Sequence, residues 1–563
     1  MRFFYMFILF SSFAFGQTMI SKDFFRLPLD IPMQLSGNFA ELRPNHFHAG
    51  FDFKTNQKEG LNVYAAADGY VSRIKISNVG YGKAIYITHN NGYTTVYGHL
   101  QKATGKIQDK IIQDQYASRN YEIETYLKPG EIEVLKGEII AISGNTGGSE
   151  GPHLHFEIRD NKTENIINPL SFGLELLDTK KPIVSSLSVY PIDENSVVNQ
   201  SKRPISLNLS LQEDGTYLAE SVKAVGKIGF GINTYDTDDV SFNSNGIYKA
   251  ALFANGKSVF SFEFGRLNFD EARYVNAVID YQKYKKSHQR VQKLFMKTFF
   301  DWSNITSNIE NGCSDVIPNF AETQRIEVSD FNGNKTIISI PISYCQEPVV
   351  VESDIKKTSY LLKSKIDNLY EKDNWSVSFP AKTFYDDFYL NFDVKSNILL
   401  LHDDTVPAHT NFLISVSDYK SPESDMKKMF IASTYNGKLS YINTFLKENT
   451  FSCKTKTLGQ FTLVKDTIAP RITIAKSIQN KDISNQKEVR FTISDDFSGI
   501  KTINGFLNEK WILFEYESKL KRIIHTFDDS KLVEGLNILK LLVVDNVGNS
   551  TTFETQFTRS IKK

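Results

Sequence analysis

Two histidines one residue apart mark the segment of this chain with the clearest capacity for chemistry. They lie in His153-Leu154-His155-Phe156. If this segment is a strand, alternate side chains share a face, so both imidazoles point one way and the apolar side chains point into a core. Two imidazoles on one open face indicate a metal site or a proton-transfer site, because imidazole ligates metals and titrates near neutral pH. The turn-rich stretch 143–152 directly upstream could carry substrate to that face, and the loop 144–151 within it is predicted to be a wall of the groove.

Three upstream residues extend this pair into a candidate hydrolytic site. His48 and Asp52 are four residues apart and share a face in a helix or a strand. Catalytic zinc takes about three nitrogen or oxygen ligands from the protein and keeps one position open for water. His48, Asp52 and one histidine of the 153/155 pair supply such a set of ligands. The other histidine of the pair and His99 could then move a proton and stabilise an oxyanion. The spacing does not choose which of His153 and His155 is the ligand.

Short strands must position these side chains. Segments 83–89 and 93–99 flank an Asn-Asn-Gly turn, which predicts a β-hairpin with His99 at the end of its second strand. The polar stretch within 101–130 predicts an inserted loop or a short helix. The first domain is therefore predicted to be all-β and to end near residue 173.

Together these motifs resemble the lysostaphin-type zinc endopeptidases, which cut peptides of peptidoglycan. The resemblance covers roughly residues 38–172 and rests on four motifs in family order: His48-x-x-x-Asp52, Tyr97-Gly98-His99-Leu100, Gly144-Asn145-Thr146-Gly147 and His153-Leu154-His155-Phe156. It implies a small antiparallel β fold with a narrow catalytic groove. It also implies that Zn²⁺ is bound by His48, Asp52 and His155, with His99 and His153 as the catalytic histidines.

The chain departs from the simplest pattern of that family at two points. The segment after His99 is longer than the usual connection, and β modules follow the peptidase domain instead of preceding it. Two other histidines lie close by in sequence. His46 could reach the site if its segment is extended, whereas His89, beside the hairpin turn, is predicted to be structural or to line the substrate.

The N-terminus predicts export. Arg2 precedes an apolar run over residues 3–10, and small residues at Ala14 and Gly16 fit a cleavage site, so residues 1–16 are predicted to be a signal peptide. The run is too short to span a bilayer comfortably, and no transmembrane span is expected after cleavage. With 65 Lys+Arg and 65 Asp+Glu, the charge balance gives no indication of a nucleic-acid partner.

Two motifs recur beyond the first domain. The opening Asp178-Thr179-Lys180-Lys181-Pro182 is echoed by Asp466-Thr467-Ile468-Ala469-Pro470, and the closing Asp330-Phe331-Asn332-Gly333-Asn334 is echoed by Asp545-Asn546-Val547-Gly548-Asn549. This repetition predicts two β-sandwich, immunoglobulin-like modules. The predicted division is a peptidase domain over 17–175 and β modules over 176–347, 348–465 and 466–563. The module over 348–465 has the weakest signal. Acidic turns such as Asp495-Asp496 could hold calcium, although ordinary turns use the same residues.

The three cysteines are too few for disulfides to be the main support of an exported chain of this length. Cys313 and Cys345 could pair within one module, and Cys453 would then be a buried thiol.

The combined prediction is a mainly β, secreted or periplasmic zinc endopeptidase acting on peptidoglycan peptides, with an envelope protein as a partner for the C-terminal modules. Two alternatives remain: a non-catalytic regulator or binding protein of cell-wall hydrolases, and an adhesion scaffold.

Overall fold

The computed structural model describes residues 22–418, 420–527 and 531–560. Strands make up 47% of the structure and helices 9%, which confirms the predicted mainly β fold class. The predicted signal peptide lies outside the described residues. Among the residues described, no helix combines the length and the apolar character needed to cross a membrane.

One antiparallel sheet organises the N-terminal region. The strands of this region are β1 (Leu35–Gly37), β2 (Leu42–Arg43), β3 (His46–Phe47), β4 (Phe51–Lys54), β5 (Asn62–Tyr64), β6 (Gly69–Ile76), β7 (Lys83–His89), β8 (Tyr93–Gly98), β9 (Lys102–Ala103), β10 (Ile123–Tyr126), β11 (Glu133–Val134), β12 (Ile139–Ile142), β13 (His153–Asp160) and β14 (Ile166–Ile167). The strands of the main sheet follow the order β1-β4-β13-β8-β7-β6-β10, and a small second sheet has the order β5-β12-β9.

The predicted hairpin and the predicted insertion both have clear structural forms. Strands β7 and β8 pair antiparallel in the register Ile85↔Tyr97, and Gly92 supplies the positive φ of 87° that their turn needs. The insertion after His99 contains helix α1 (Gly105–Ser118), 14 residues long, which buries Ile107 and Ile111. It is therefore an ordered helix packed on the domain, longer than the loop or short helix that its polar sequence predicts.

The N-terminal region and the module that follows it share one hydrophobic core. A continuous cluster of buried side chains runs from Phe25 to Ile342. Phe47 stacks on Trp302 with ring centroids 5.5 Å apart, and β14 extends the N-terminal sheet by pairing with the strand Arg266–Leu267. Because apolar burial is contiguous across this junction, the two regions support each other; the predicted boundary at residue 175 remains a prediction.

The remaining sheets form the downstream β modules. A 13-stranded sheet is followed by two five-stranded and two four-stranded sheets, with a two-stranded sheet at Leu361–Leu362. The longer strands are Ile183–Pro191, Val222–Tyr235, Lys249–Ala254, Lys257–Glu263, Ala321–Ser329, Lys335–Tyr344, Asn368–Lys372, Trp375–Phe379, Phe412–Ser417, Met429–Tyr435, Thr450–Thr455, Gly459–Lys465, Glu488–Ser494, Ile500–Leu507, Arg522–Thr526, Gly535–Asp545 and Ser550–Arg559. The short helices are Val275–Val278, Tyr281–Ser287 and Glu423–Met426.

The repeated sequence motifs make the same contacts in both modules. In the first, the Asn334 side-chain amide donates to the Asp178 carbonyl over 3.2 Å. In the second, Asn549 donates to the Asp466 carbonyl over 3.1 Å. The opening and closing motifs are therefore held together by an equivalent hydrogen bond in each module.

The structure corrects the suggested disulfide. In the part of the chain that is described, all three cysteines are free thiols. Cys313 Sγ lies near the Met296 carbonyl, whereas Cys345 Sγ faces Glu347, so the two thiols have different surroundings. Cys453 is buried, as predicted.

Candidate metal centre

Three buried side chains converge on one point in the N-terminal sheet. His48 Nε2 lies 3.0 Å from Asp52 Oδ1 and 3.2 Å from His155 Nδ1, and His155 Nδ1 lies 2.9 Å from the same Asp52 oxygen. The exposed fractions of these residues are 6%, 7% and 3%. The three atoms are thus close enough for one ion to contact all of them.

Strand pairing produces this convergence. Strand β13 pairs antiparallel with β4 so that His155 is directly opposite Asp52, and it pairs with β8 so that His155 is also opposite Gly98. A Cβ on Gly98 would lie 3.3 Å from that of His155, so glycine leaves room for the imidazole. The next residue, His99, lies just beyond the strand and has a φ of 59°. Its backbone N–H donates to the Tyr81 carbonyl.

The hydrogen bonds that His48 and His155 make on the side away from Asp52 leave a suitable arrangement of acceptor atoms for a metal ion. His48 Nδ1 lies 2.7 Å from the Asn38 carbonyl, and His155 Nε2 lies 2.8 Å from Glu157 Oε1. A carbonyl and a carboxylate only accept, so both of these nitrogens carry hydrogen. In the neutral rings, the remaining nitrogens then direct lone pairs at Asp52 Oδ1, and three acceptors facing one point suit a cation.

A buried charge network sets the protonation of this cluster. Burial would raise the pKa of Glu157, but Arg159, 2.6 Å away, and His155 outweigh that effect and lower it to about 2. Burial would lower the pKa of His155, yet its hydrogen bonds to Asp52 and Glu157 raise it to about 9. Since histidine must be deprotonated to ligate, metal binding here would release a proton.

The two remaining histidines lie beside the triad. His153 Nε2 is 3.3 Å from Asp52 Oδ1, and its Nδ1 is 2.8 Å from the Gly151 carbonyl. The His99 ring lies 4.7 Å from that of His153, and its Nδ1 donates to the Thr146 carbonyl over 2.8 Å. Burial, with the neighbouring histidines, lowers the pKa of His99 to about 3, so this ring is neutral. Because Nδ1 donates to the Thr146 carbonyl, the lone pair of the neutral ring lies on Nε2.

The other two histidines have different surroundings. His46 is exposed, and its Nδ1 lies 2.9 Å from the Pro44 carbonyl. His89 is buried between the Asp68 carbonyl and the Thr95 hydroxyl, at 2.9 and 2.8 Å, which agrees with a structural role.

Sequence reasoning missed three residues that support the site. Tyr81 stacks on His155 with ring centroids 4.9 Å apart, and Asn38 orients His48 through its backbone carbonyl. Neither carries a sequence signal of that role. Glu157 did offer one, because it lies two residues after His155 on the same strand and therefore on the same face.

The last β module contacts the loop beside the site. Lys519 Nζ donates to the Asn145 carbonyl over 3.0 Å and also to the carbonyl of Ser149. On the inserted helix α1, the Tyr116 ring packs edge-on against Trp511 with centroids 5.3 Å apart. The loop 144–151, predicted as a wall of the groove, is thus braced by residues more than 360 positions away.

Comparison with known proteins assigns a family to the N-terminal region. A profile described as Peptidase family M23 matches residues 46–121 and 116–169, and a Zu5-like domain profile matches residues 359–466. An uncharacterized metalloprotease of Haemophilus influenzae is 34% identical over 168 residues, covering 28% of this chain and 29% of that protein. The peptidoglycan DD-endopeptidase ShyA of Vibrio cholerae is 32% identical over 146 residues, covering 25% and 28%.

A solved structure is also similar. The catalytic domain of the antimicrobial peptidase lysostaphin from Staphylococcus simulans is 25% identical, covers 25% of this chain and 93% of that chain, and has a TM-score of 0.19. The alignments with the two curated relatives span under a third of each relative's length. The profile match shows a Peptidase family M23 domain in the N-terminal region of this chain. This match confirms the resemblance that the motifs predict.

Proposed function

We propose that this chain is a secreted or periplasmic zinc endopeptidase that hydrolyses peptide bonds in peptidoglycan stems or cross-links. The observation that carries the proposal is the convergence of ligand atoms from His48, Asp52 and His155 within 3.2 Å of one another. The M23 profile supports the reaction class. The relative named a peptidoglycan DD-endopeptidase supports the substrate class.

The three converging residues are proposed as the metal ligands. His48 would bind through Nε2, His155 through Nδ1 and Asp52 through Oδ1, since these are the atoms that face one another. Zinc in such a site supplies Lewis acidity and lowers the pKa of the water that it binds to about 7. Nitrogen and oxygen donors of this type and number match those of catalytic zinc sites.

His99 and His153 are proposed to carry out the proton transfers. The neutral His99 ring, fixed through Nδ1 by the Thr146 carbonyl, offers Nε2 as the acceptor for the proton of the attacking water. His153, fixed through Nδ1 by the Gly151 carbonyl, would stabilise the developing oxyanion when its Nε2 carries a proton. Loss of a general base typically slows hydrolysis by about 10²- to 10⁴-fold.

The alternatives place the function outside hydrolysis. A non-catalytic regulator of wall hydrolases would have no need of all five site residues, yet this chain retains every one of them.

An adhesion scaffold would act through residues 174–563, and an envelope protein that binds the modules would contact the same part of the chain. Binding of an envelope protein by an H99A variant would show that the modules act independently of catalysis.

The direct test is digestion of isolated peptidoglycan by the purified protein beginning at Gln17. Reactions would be run as prepared, with a zinc chelator, and with zinc restored, and released fragments would be read by mass spectrometry. New amino termini that disappear with chelator and return with zinc are expected, and their identity would name the bond. Intact peptidoglycan in all three reactions, with zinc bound to the protein, would favour the regulator.

A further inference from the structure

Three carboxylates meet at the start of the first β module, outside the set of residues proposed to bind zinc. One oxygen each from Asp178, Asp236 and Asp330 lies within 4.8 Å of the others. Asp236 and Asp330 are only 5% and 4% exposed. Two of the three belong to the repeated opening and closing motifs, whereas Asp236 comes from a different strand end and joins them only in the fold.

Two buried oxygens at this cluster have no hydrogen-bond partner among the described residues. They are Oδ1 of Asp236 and Oδ1 of Asn245, which is 4% exposed. Both residues line a cavity of about 40 Å³ together with Asp178 and Asp330, so the residues that carry the unpartnered oxygens and the other two carboxylates border the same space. Leaving a buried acceptor without a partner is energetically unfavourable, which argues that something else satisfies it.

The negative charge of the cluster is not neutralised within the described residues. The hydrogen bonds recorded for Asp178 and Asp330 come from backbone amides and from Asn334. Burial and the neighbouring carboxylates raise the pKa of Asp236 to about 8 and that of Asp178 to about 6. Crowded carboxylates of this kind attract either a proton or a cation.

Two neighbouring carboxylates differ from those of this cluster in the hydrogen bonds that they accept. Asp238, close by in sequence, accepts from the Val240 and Ser241 amides and from the Asn245 side chain, so its oxygens are occupied. The equivalent cluster of the last module contains Asp495, whose Oδ2 accepts from two backbone amides at 3.1 and 2.6 Å. Ordinary turn contacts therefore account for Asp495.

We propose that Asp178, Asp236, Asp330 and the amide oxygen of Asn245 bind a calcium ion. All four ligands are oxygens, and three are carboxylates, which matches the hard-donor preference of Ca²⁺ over zinc or other softer ions. An irregular set drawn from separate loops suits the flexible coordination of Ca²⁺ better than the strict octahedron of Mg²⁺.

The site lies where this module supports the peptidase domain. Asn245 and Asp236 exchange backbone hydrogen bonds of 2.7 and 2.9 Å, and the next residue, Gly246, exchanges two bonds of 2.8 Å with the Asn38 side chain. The Asn38 carbonyl in turn orients His48. A calcium ion on Asp236 and Asn245 would therefore fix the segment that holds Asn38 in place.

The test uses the full mature chain, loaded with zinc and freed of calcium, near neutral pH. Calcium binding would be measured by equilibrium dialysis and by the rise in unfolding temperature on addition of CaCl₂. One calcium per chain is expected, with weaker binding of MgCl₂. Asp236→Asn should weaken calcium binding by about tenfold or more. Without calcium, it should unfold at the same temperature as wild type or higher, because the burial and the neighbouring carboxylates that raise the pKa of Asp236 to about 8 do not act on a neutral amide.

The matched control is Asp495→Asn, which alters the equivalent carboxylate of the last module and should leave calcium binding unchanged. Wild-type protein that binds no calcium would overturn the proposal and would mean that a proton alone satisfies Asp236. Undiminished binding by the D236N variant, or loss of binding by D495N, would also overturn it. None of these readouts depends on peptide hydrolysis.

Discussion

His155 and Glu157 lie on one face of strand β13, and the His155 Nε2–H donates to Glu157 Oε1 over 2.8 Å. Glu157 is fully buried and is held in turn by Arg159 through its other oxygen, at 2.6 Å. This pair fixes the ring orientation of His155 and directs its Nδ1 at Asp52. The carboxylate thus selects the nitrogen that is free to bind a metal ion.

Replacing Glu157 with glutamine should weaken zinc binding while preserving the volume of the side chain. An amide facing His155 Nε2 can donate a hydrogen, which favours the ring tautomer that carries its proton on Nδ1 and blocks the ligand lone pair. Loss of such a supporting partner typically costs about 10- to 100-fold in metal affinity. Competition with a zinc-binding dye measures the change. Glu164→Gln, at the exposed partner of Arg159, is the control and should bind zinc normally.

Replacing Lys519 with alanine should loosen the loop beside the site. Lys519 donates to the carbonyls of Asn145 and Ser149, so its removal frees a loop that also leads into His153. Hydrogen exchange of the loop amides should become faster, and kcat/KM on peptidoglycan fragments should fall several-fold. Lys510→Ala, an exposed lysine of the same module, should change neither quantity. Unchanged exchange in K519A would show that the contact does not restrain the loop.

His89 should make stability depend on pH. Burial lowers its pKa to about 4, whereas the unfolded chain titrates near 6.5. Between these values the unfolded state binds more protons, so stability falls as pH decreases from about 6.5 to about 4, by roughly 3 kcal/mol from this group. Denaturant unfolding at several pH values should show a shallower decrease for His89→Gln. The exposed His288→Gln control should retain the wild-type slope, and an equally steep decrease in H89Q would contradict the prediction.

Much of the site could be predicted because its residues fall within short motifs. Strand periodicity alone places His153 and His155 on one face, and the turn between β7 and β8 places His99 at a strand end. Spacing could not choose between His153 and His155, since both point the same way. The structure brings His155 Nδ1 closer to Asp52 Oδ1 than His153 Nε2, at 2.9 against 3.3 Å.

Other features depend on contacts between distant parts of the chain. Asn38 orients His48 through a backbone carbonyl, which any residue type could supply, so its identity carries no signal. The ordered helix α1 forms because Ile107 and Ile111 find a core to pack against, a condition that its polar sequence does not show. The acidic cluster needs Asp236, which joins Asp178 and Asp330 only when the strands assemble.

The central claim is that one set of residues binds zinc and a second set transfers protons. Zinc content and peptidoglycan hydrolysis measured side by side on wild type, His155→Ala and His99→Ala test it most directly. The account predicts one zinc and cleavage for wild type, neither for H155A, and bound zinc for H99A with turnover reduced by about 10²-fold or more. Full turnover by H99A, or a normal zinc content in H155A, would contradict it.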